Sequence, residues 1–234
     1  MKPVAIFRHS NTEGPGHFAT FLEANGIAWQ LFASDANTAI PTDSTAYAGL
    51  AFMGGPMSVN DPLPWIDPSL ALIRHAVEHE VPVIGHCLGG QLMSKALGGV
   101  VSRNPVKEIG WGEVTIDPSP VANHWFEGCM SFESFHWHGE TFTIPSGATR
   151  LGSSAWCDNQ LFALGPHLGM QCHVEMTEQM IRVWARSGWN EIRDNPVPSV
   201  QSGESMQTNL EARVGALHAI ADRLYGKWIG GLKR

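Results

Sequence analysis

VPVIGHCLGGQLMSKALGG, residues 81–99, is the stretch on which the fold turns. It passes from an apolar run of β character through Gly85-His86-Cys87-Leu88-Gly89 directly into a helix-forming segment. Gly85 and Gly89 bracket Cys87 with the spacing of a nucleophile elbow, where small residues let strand and helix approach while the reactive side chain is pushed outward. A helix start presents free N–H groups and partial positive charge, which favour the thiolate, the nucleophilic form of cysteine. The same turn also suits a small buried hydrophobe, the commonest part played by a lone cysteine.

Upstream of this point VAIFRH, HFATFLEAN, IAWQLFAS, LAFMGG and DPSLALIRHAVEHE alternate apolar β-like runs with amphipathic ones. Continuous apolar strands separated by helices predict an α/β three-layer sandwich around a mostly parallel sheet covered on both faces. After Gly99 the pieces shorten and turns multiply: EIGWGEVTI, FHWHGETFTI, ATRLGSS and LFALGP predict a small antiparallel β portion. HLGMQCHVE and the helical MTEQMIRVWAR follow. Residues 188–208, rich in Asn, Pro, Ser and Gly, are expected to form a loop or excursion, and 209–230 a closing helix. With no repeat and no linker, residues 1–234 are expected to form one domain.

Composition narrows the functions. The 234 residues are 43% hydrophobic and 16% charged, enough for one sizeable core. A net charge of -7 and 15 scattered Lys and Arg residues leave no basic stripe for a phosphate backbone, so nucleic acid is not an expected partner. Cys87, Cys129, Cys157 and Cys172 are far apart and form no C-x-x-C pair, which argues against a disulfide framework or a cysteine zinc site. The opening MKPVAIFRHS has too short an apolar run for a signal sequence, and no stretch is long enough to span a bilayer. A cytoplasmic protein without membrane contact is expected.

A cysteine nucleophile needs a histidine to move protons and a third group to orient it. Among 11 histidines, His173 in QCHVEM is the informative one, because Glu175 shares its face if the segment is a strand. An H-x-E pair alone is weak; beside an elbow it gains weight. The β segment LAF ends in MGGPMSVND, where Gly54 and Gly55 allow close backbone approach. An N–H there and that of Leu88 would make two donors for an oxyanion. In isolation the same residues read as a Gly-Pro turn ending a strand.

Together these residues resemble the class I glutamine amidotransferase family, the triad-type glutaminase domains of GMP synthetase, carbamoyl phosphate synthetase and anthranilate synthase. GHCLGGQ (85–91) is similar to the family's G-x-C-x-G-x-Q nucleophile motif, CHVE to its H-P-E, and MGGPMSVND to its oxyanion-loop G-G-P. WIDPSLALIRHAVEHEV, EIGW and HWHGETFTIPSGATRLGSS read as family segments in the expected order, so the resemblance runs to about Arg186. It departs at His86, where an aliphatic or aromatic residue is usual, and at Val174, which stands in the place of proline.

The resemblance implies a flavodoxin-like fold and a Cys87, His173 and Glu175 triad that hydrolyses glutamine through a γ-glutamyl thioester. It implies oxyanion donors at Gly55 and Leu88, and a substrate site bordered by Gly54, Pro56, Gln91, His136, Trp137, His138, Gly139 and Glu140. His136 and His138 read alternatively as metal ligands, but spacing reveals no third ligand and the family needs no metal, so neither metal nor cofactor is expected. The implied partners are glutamine or a γ-glutamyl compound and a synthetase subunit that accepts ammonia, since the sequence has no G-x-x-x-x-G-K-[ST] phosphate loop. Two other readings stay open: a free-standing γ-glutamyl peptidase, and a non-catalytic thiol-sensing or binding protein that has kept the fold.

Overall fold

The computed structural model describes residues 2–233. Nine strands form one sheet: β1 (Val4–Arg8), β2 (Trp29–Ala33), β3 (Gly49–Phe52), β4 (Val83–His86), β5 (Val101–Ile116), β6 (Ser131–Phe142), β7 (Thr149–Ser154), β8 (Leu161–Leu164) and β9 (His167–Met170). Their spatial order is β2-β1-β3-β4-β9-β8-β7-β5-β6. The first five in that order pair in parallel and the remainder pair antiparallel. The helices are α1 (Gly16–Ala24), α2 (Ile66–Glu78), α3 (Leu88–Ala96), α4 (Pro120–Phe126), α5 (Glu178–Ser187), α6 (Trp189–Asp194), α7 (Gly203–Met206) and α8 (Leu210–Ile229).

The two-residue period of the strands divides the apolar side chains between two cores. Val4 and Ile6 of β1, with Ala51, Ile84 and Leu168, face the layer of α1 and α8, meeting Phe18, Leu22, Leu217 and Leu224. Ala5 and Phe7, with Leu50, Phe52 and Val83, face α2 and α3, meeting Ile73, Ala76, Leu92 and Met93. Because both faces are covered, the strands show no polar alternation, which is why they read as unbroken apolar runs. Each large side chain so buried contributes about 1.5–3 kcal/mol. Among the described residues no helix is long and apolar enough to cross a membrane.

The antiparallel portion is larger than the short β pieces suggested. EIGWGEVTI belongs to β5, whose register with β6 shifts between Arg103 and Glu108. That irregularity carries residues 103–107 toward the carboxyl ends of the parallel strands, where they border a cleft.

Residues 188–208 differ from the expected loop in holding the short helices α6 and α7. The segment between them is tied to β5: Ile109 N–H donates to Ser199 O at 2.9 Å and Gln201 N–H to Ile109 O at 2.9 Å. The Gln201 side chain accepts from Trp111 N–H at 3.0 Å and donates to Trp111 O at 2.8 Å. Polar residues that look loop-like in sequence thus satisfy the edge of β5. The longest helix, α8, follows over Leu210–Ile229.

Candidate active site

Strand β4 ends at His86 and α3 begins at Leu88, so Cys87 alone makes the bend. It does so with φ 50° and ψ -106°, a conformation that costs an L-residue on the order of 1–3 kcal/mol. The bend requires its glycines. A Cβ on Gly85 would lie 2.5 Å from the Gly89 backbone, and one on Gly89 would lie 2.0 Å from the carbonyl oxygen of Phe52 in β3. Cys87 is 6% exposed and opens onto a cleft of about 880 Å³ at the carboxyl ends of the strands. Ligands of open α/β sheets bind at this position. The Gln171 side-chain amide donates to Cys87 Sγ at 3.5 Å.

His173 and Glu175 follow β9, though not on a strand as the face argument assumed. β9 stops at Met170, and His173 is held by a single bridge in which its N–H donates to Phe135 O at 2.8 Å. Bonding to its own sheet neighbours gives way there to a turn, yet the two side chains still meet: His173 Nδ1 lies 2.6 Å from Glu175 Oε1. Both are buried. Burial alone would lower the His173 pKa, but the charges of Glu175 and Cys87 and the hydrogen bond to Glu175 carry it well above the ordinary 6.5. Burial likewise works against ionised Glu175, whereas His173 and His86 hold its pKa below the ordinary value. The Trp184 ring stands edge-on to His173 with centroids 5.0 Å apart, covering it from solvent.

His86, the first departure from the family pattern, points away from the cleft. Its Nε2 lies 3.0 Å from the Tyr225 hydroxyl and 4.0 Å from Glu175 Oε2. Burial lowers its pKa and raises that of Tyr225 well above 10.

Of the other expected residues, Gly55, Pro56, Gln91, Trp137, His138, Gly139 and Glu140 border the cleft with Cys87. Leu88 opens α3 beneath it, and a Cβ on Gly55 would touch the Leu88 side chain at 2.7 Å. Gly54 sits against His173, whose Cε1 would be 3.1 Å from a Cβ there. His9 anchors this loop by bonding Met53 O through Nδ1 at 3.0 Å. His136 is the exception and corrects the expectation of a substrate contact. It is 0% exposed and absent from the cleft wall, and its Nδ1 lies 3.6 Å from Glu108 Oε2 on β5. Burial pushes its pKa down to about 4.

Comparison with known proteins gives the family. The sequence pattern of the family described as Glutamine amidotransferase class-I matches residues 19–182. The glutamine amidotransferase-like protein YfeJ of Salmonella typhimurium is 30% identical over 199 residues, covering 80% of this chain and 81% of that one. The chain belongs to the class-I glutamine amidotransferase family. The crystal structure of a glutamine amido transferase from Methylobacillus flagellatus superposes with a TM-score of 0.97 at 43% identity, covering 100% of this chain and 96% of that one. The glutamine-hydrolyzing GMP synthase of Acetivibrio thermocellus is 35% identical over 113 residues, which are 47% of this chain but 20% of that protein. The match to it therefore concerns one part of a longer protein.

Much of this amidotransferase cleft is lined by residues outside the sequence motifs. Thr12 and Glu13 reach it from the loop after β1, and Trp184, Gly188, Glu191, Asn195 and Val197 from the region of α5 and α6. Glu13 Oε2 would lie 2.4 Å from a Cβ on Gly54, close to His173, and burial pushes its pKa up to about 7. Glu191 accepts from Trp137 Nε1 at 2.9 Å and pairs with Lys107, closing one end of the cleft. No motif marks these positions; only the fold brings them together.

Proposed function

We propose that this amidotransferase domain hydrolyses the side-chain amide of glutamine through a γ-glutamyl thioester on Cys87. The observation that carries the reading is the convergence of a cleft-facing thiol on a strained bend with an imidazole whose far nitrogen is bonded to a buried carboxylate. In the proposed sequence the Cys87 thiolate attacks the amide carbon, and the C–N bond breaks as His173 gives its proton to the departing ammonia. Water then attacks the thioester while His173 takes its proton, and glutamate leaves. Glu175 keeps His173 in one orientation and stabilises the imidazolium. The N–H groups of Gly55 and Leu88 are assigned to the oxyanion, where losing one donor typically costs about 10²–10³ in rate.

Gly54, Pro56, Gln91, Trp137, His138, Gly139 and Glu140 are assigned to the neighbourhood of the α-amino and α-carboxylate groups. The ammonia is proposed to pass to an acceptor on a synthetase partner, a reading supported by the likeness to one part of a glutamine-hydrolyzing GMP synthase. A second reading is supported by the cleft itself. At about 880 Å³ it lies near the upper end of pockets that hold drug-sized ligands, leaving room beyond a glutamyl group for a larger leaving group. That would make the protein a free-standing γ-glutamyl hydrolase.

Comparing kcat/KM for glutamine with a panel of γ-glutamyl dipeptides, in wild type and Cys87→Ala, tests both. Ammonia release from glutamine at a rate equal to or above peptide turnover supports the first reading. Peptide turnover faster by powers of ten supports the second, and no turnover of either removes both.

A further inference from the structure

The buried face of the β5 and β6 pair holds a side-chain cluster of which only His138 also borders the cleft at Cys87. Glu108, His136 and His138 offer three ligand atoms within 4.8 Å of one another, all on buried side chains. The outward nitrogen of each ring faces a backbone carbonyl: His136 Nε2 lies 3.3 Å from Gly112 O, and His138 Nδ1 lies 3.0 Å from Glu140 O. A carbonyl only accepts, so each outward nitrogen carries the N–H. In the neutral rings the inward nitrogens, His136 Nδ1 and His138 Nε2, then present lone pairs toward Glu108 Oε2, at 3.6 Å and 3.0 Å. Lone pairs aimed at a carboxylate repel unless something positive lies between them.

We infer that Glu108, His136 and His138 form a binding site for one divalent transition-metal ion of the zinc class. Histidine ligands of such ions characteristically donate their other N–H to a carbonyl or carboxylate, the arrangement both rings have here. Nitrogen and oxygen ligands at about 2.0–2.1 Å in a tetrahedron lie roughly 3.3 Å apart, and the two observed separations straddle that spacing.

Protons on the inward nitrogens are the rival account. They suit the 3.0 Å contact of His138, but 3.6 Å is too long for a hydrogen bond from His136. They also leave Glu108 Oε1, His136 Nδ1 and Gln160 Oε1 buried without partners. Gln160 Nε2 lies 2.7 Å from Glu108 Oε2, so turning that amide over presents its oxygen as a fourth donor. His138 also borders the cleft, which gives an ion access from solvent. A Cβ on Gly112 would lie 3.2 Å from His136 Nε2, so the bare glycine lets the ring seat. Such an ion would clamp β5 to β6 behind Trp137 and Glu140. Spacing hid the site because its third ligand is 28 residues upstream of His136 and becomes a neighbour only through strand pairing.

The test uses the full chain carrying Cys87→Ser, so that the thiol cannot bind metal, stripped with a chelator and titrated with Co²⁺. One equivalent is expected to bind per chain, with the strong visible bands of four-coordinate cobalt. Glu108→Gln and His136→Asn, added singly, are each expected to weaken binding by at least about 100-fold. Two histidine pairs nearer the surface, His17 with His218 and His75 with His79, stack with centroids 3.6 Å and 4.1 Å apart and are the competing sites. No stoichiometric band, or a band undiminished in Glu108→Gln, overturns the inference. If the ligand variants do not fold, melting of the Cys87→Ser chain with His17 and His75 replaced by alanine decides. A rise in Tm that saturates at one Zn²⁺ per chain is expected, and an unchanged Tm overturns the inference.

Discussion

At position 87 the backbone holds a thiol in a conformation that few L-residues adopt. Replacing Cys87 by alanine removes the proposed nucleophile, and glutamine hydrolysis is expected to fall by at least about 10³-fold, read as ammonia release. Glu175→Gln keeps the shape beside His173 but removes the charge that supports its imidazolium. A loss of about 10²–10⁴-fold in kcat, with little change in KM, is expected in steady-state kinetics.

Glu13 makes a prediction of the opposite sign for stability. Its folded pKa of about 7 lies above the ordinary 4.5, so the folded state binds the proton more tightly than the unfolded one. Stability from this group is complete below the ordinary value and is lost as pH rises through about 7. Glu13→Gln is therefore expected to match wild type in acid and to be more stable by about 1–2 kcal/mol above neutrality, solvent at the cleft mouth reducing the full effect. Urea melts across that pH range check it. Cys87, His173 and Glu175 were readable as candidates because nucleophile and base motifs are local in sequence. Glu13 was not, since only the closeness of the β1 loop to Gly54 gives it a role.

Among the elements, the β4 to α3 junction was legible because its glycines are required by contacts that chemistry dictates. Gly89→Ala drives a Cβ into the Phe52 carbonyl, and a loss of at least about 3 kcal/mol is expected. Gly226, exposed on α8 with nothing within 4 Å of its Cβ position, gives the contrast. Gly226→Ala is expected to raise stability by about 0.5–1 kcal/mol, read in the same denaturant melts. The H-x-E spacing brings His173 and Glu175 together without the strand it implies. His173 and Glu175 meet across a turn rather than along a strand face, because β9 ends at Met170 and Phe135 captures the His173 backbone. The helices within 188–208 escaped notice because polar residues such as Ser199 and Gln201 spend their hydrogen bonds on β5, a partner that local composition does not reveal.

Among the described residues nine strands share one sheet, with a core on each of its faces. Apolar runs announced the doubly covered parallel half; the extent of the antiparallel half and the burial of His136 depended on pairings between distant segments. A continuous sheet is expected to unfold as one unit, so denaturation followed by tryptophan fluorescence and by far-ultraviolet circular dichroism should give coincident curves. Two separated transitions would show that the antiparallel portion folds by itself.

Attachment of a glutamyl group at position 87 can be read by exposing the protein to a diazo ketone analogue of glutamine and locating the adduct by peptide mass spectrometry. One adduct per chain on Cys87, accumulating in step with loss of amidase activity toward glutamine and γ-glutamyl peptides and absent after Cys87→Ala, is the predicted result. An adduct on another residue, or activity that survives full modification of Cys87, would contradict it.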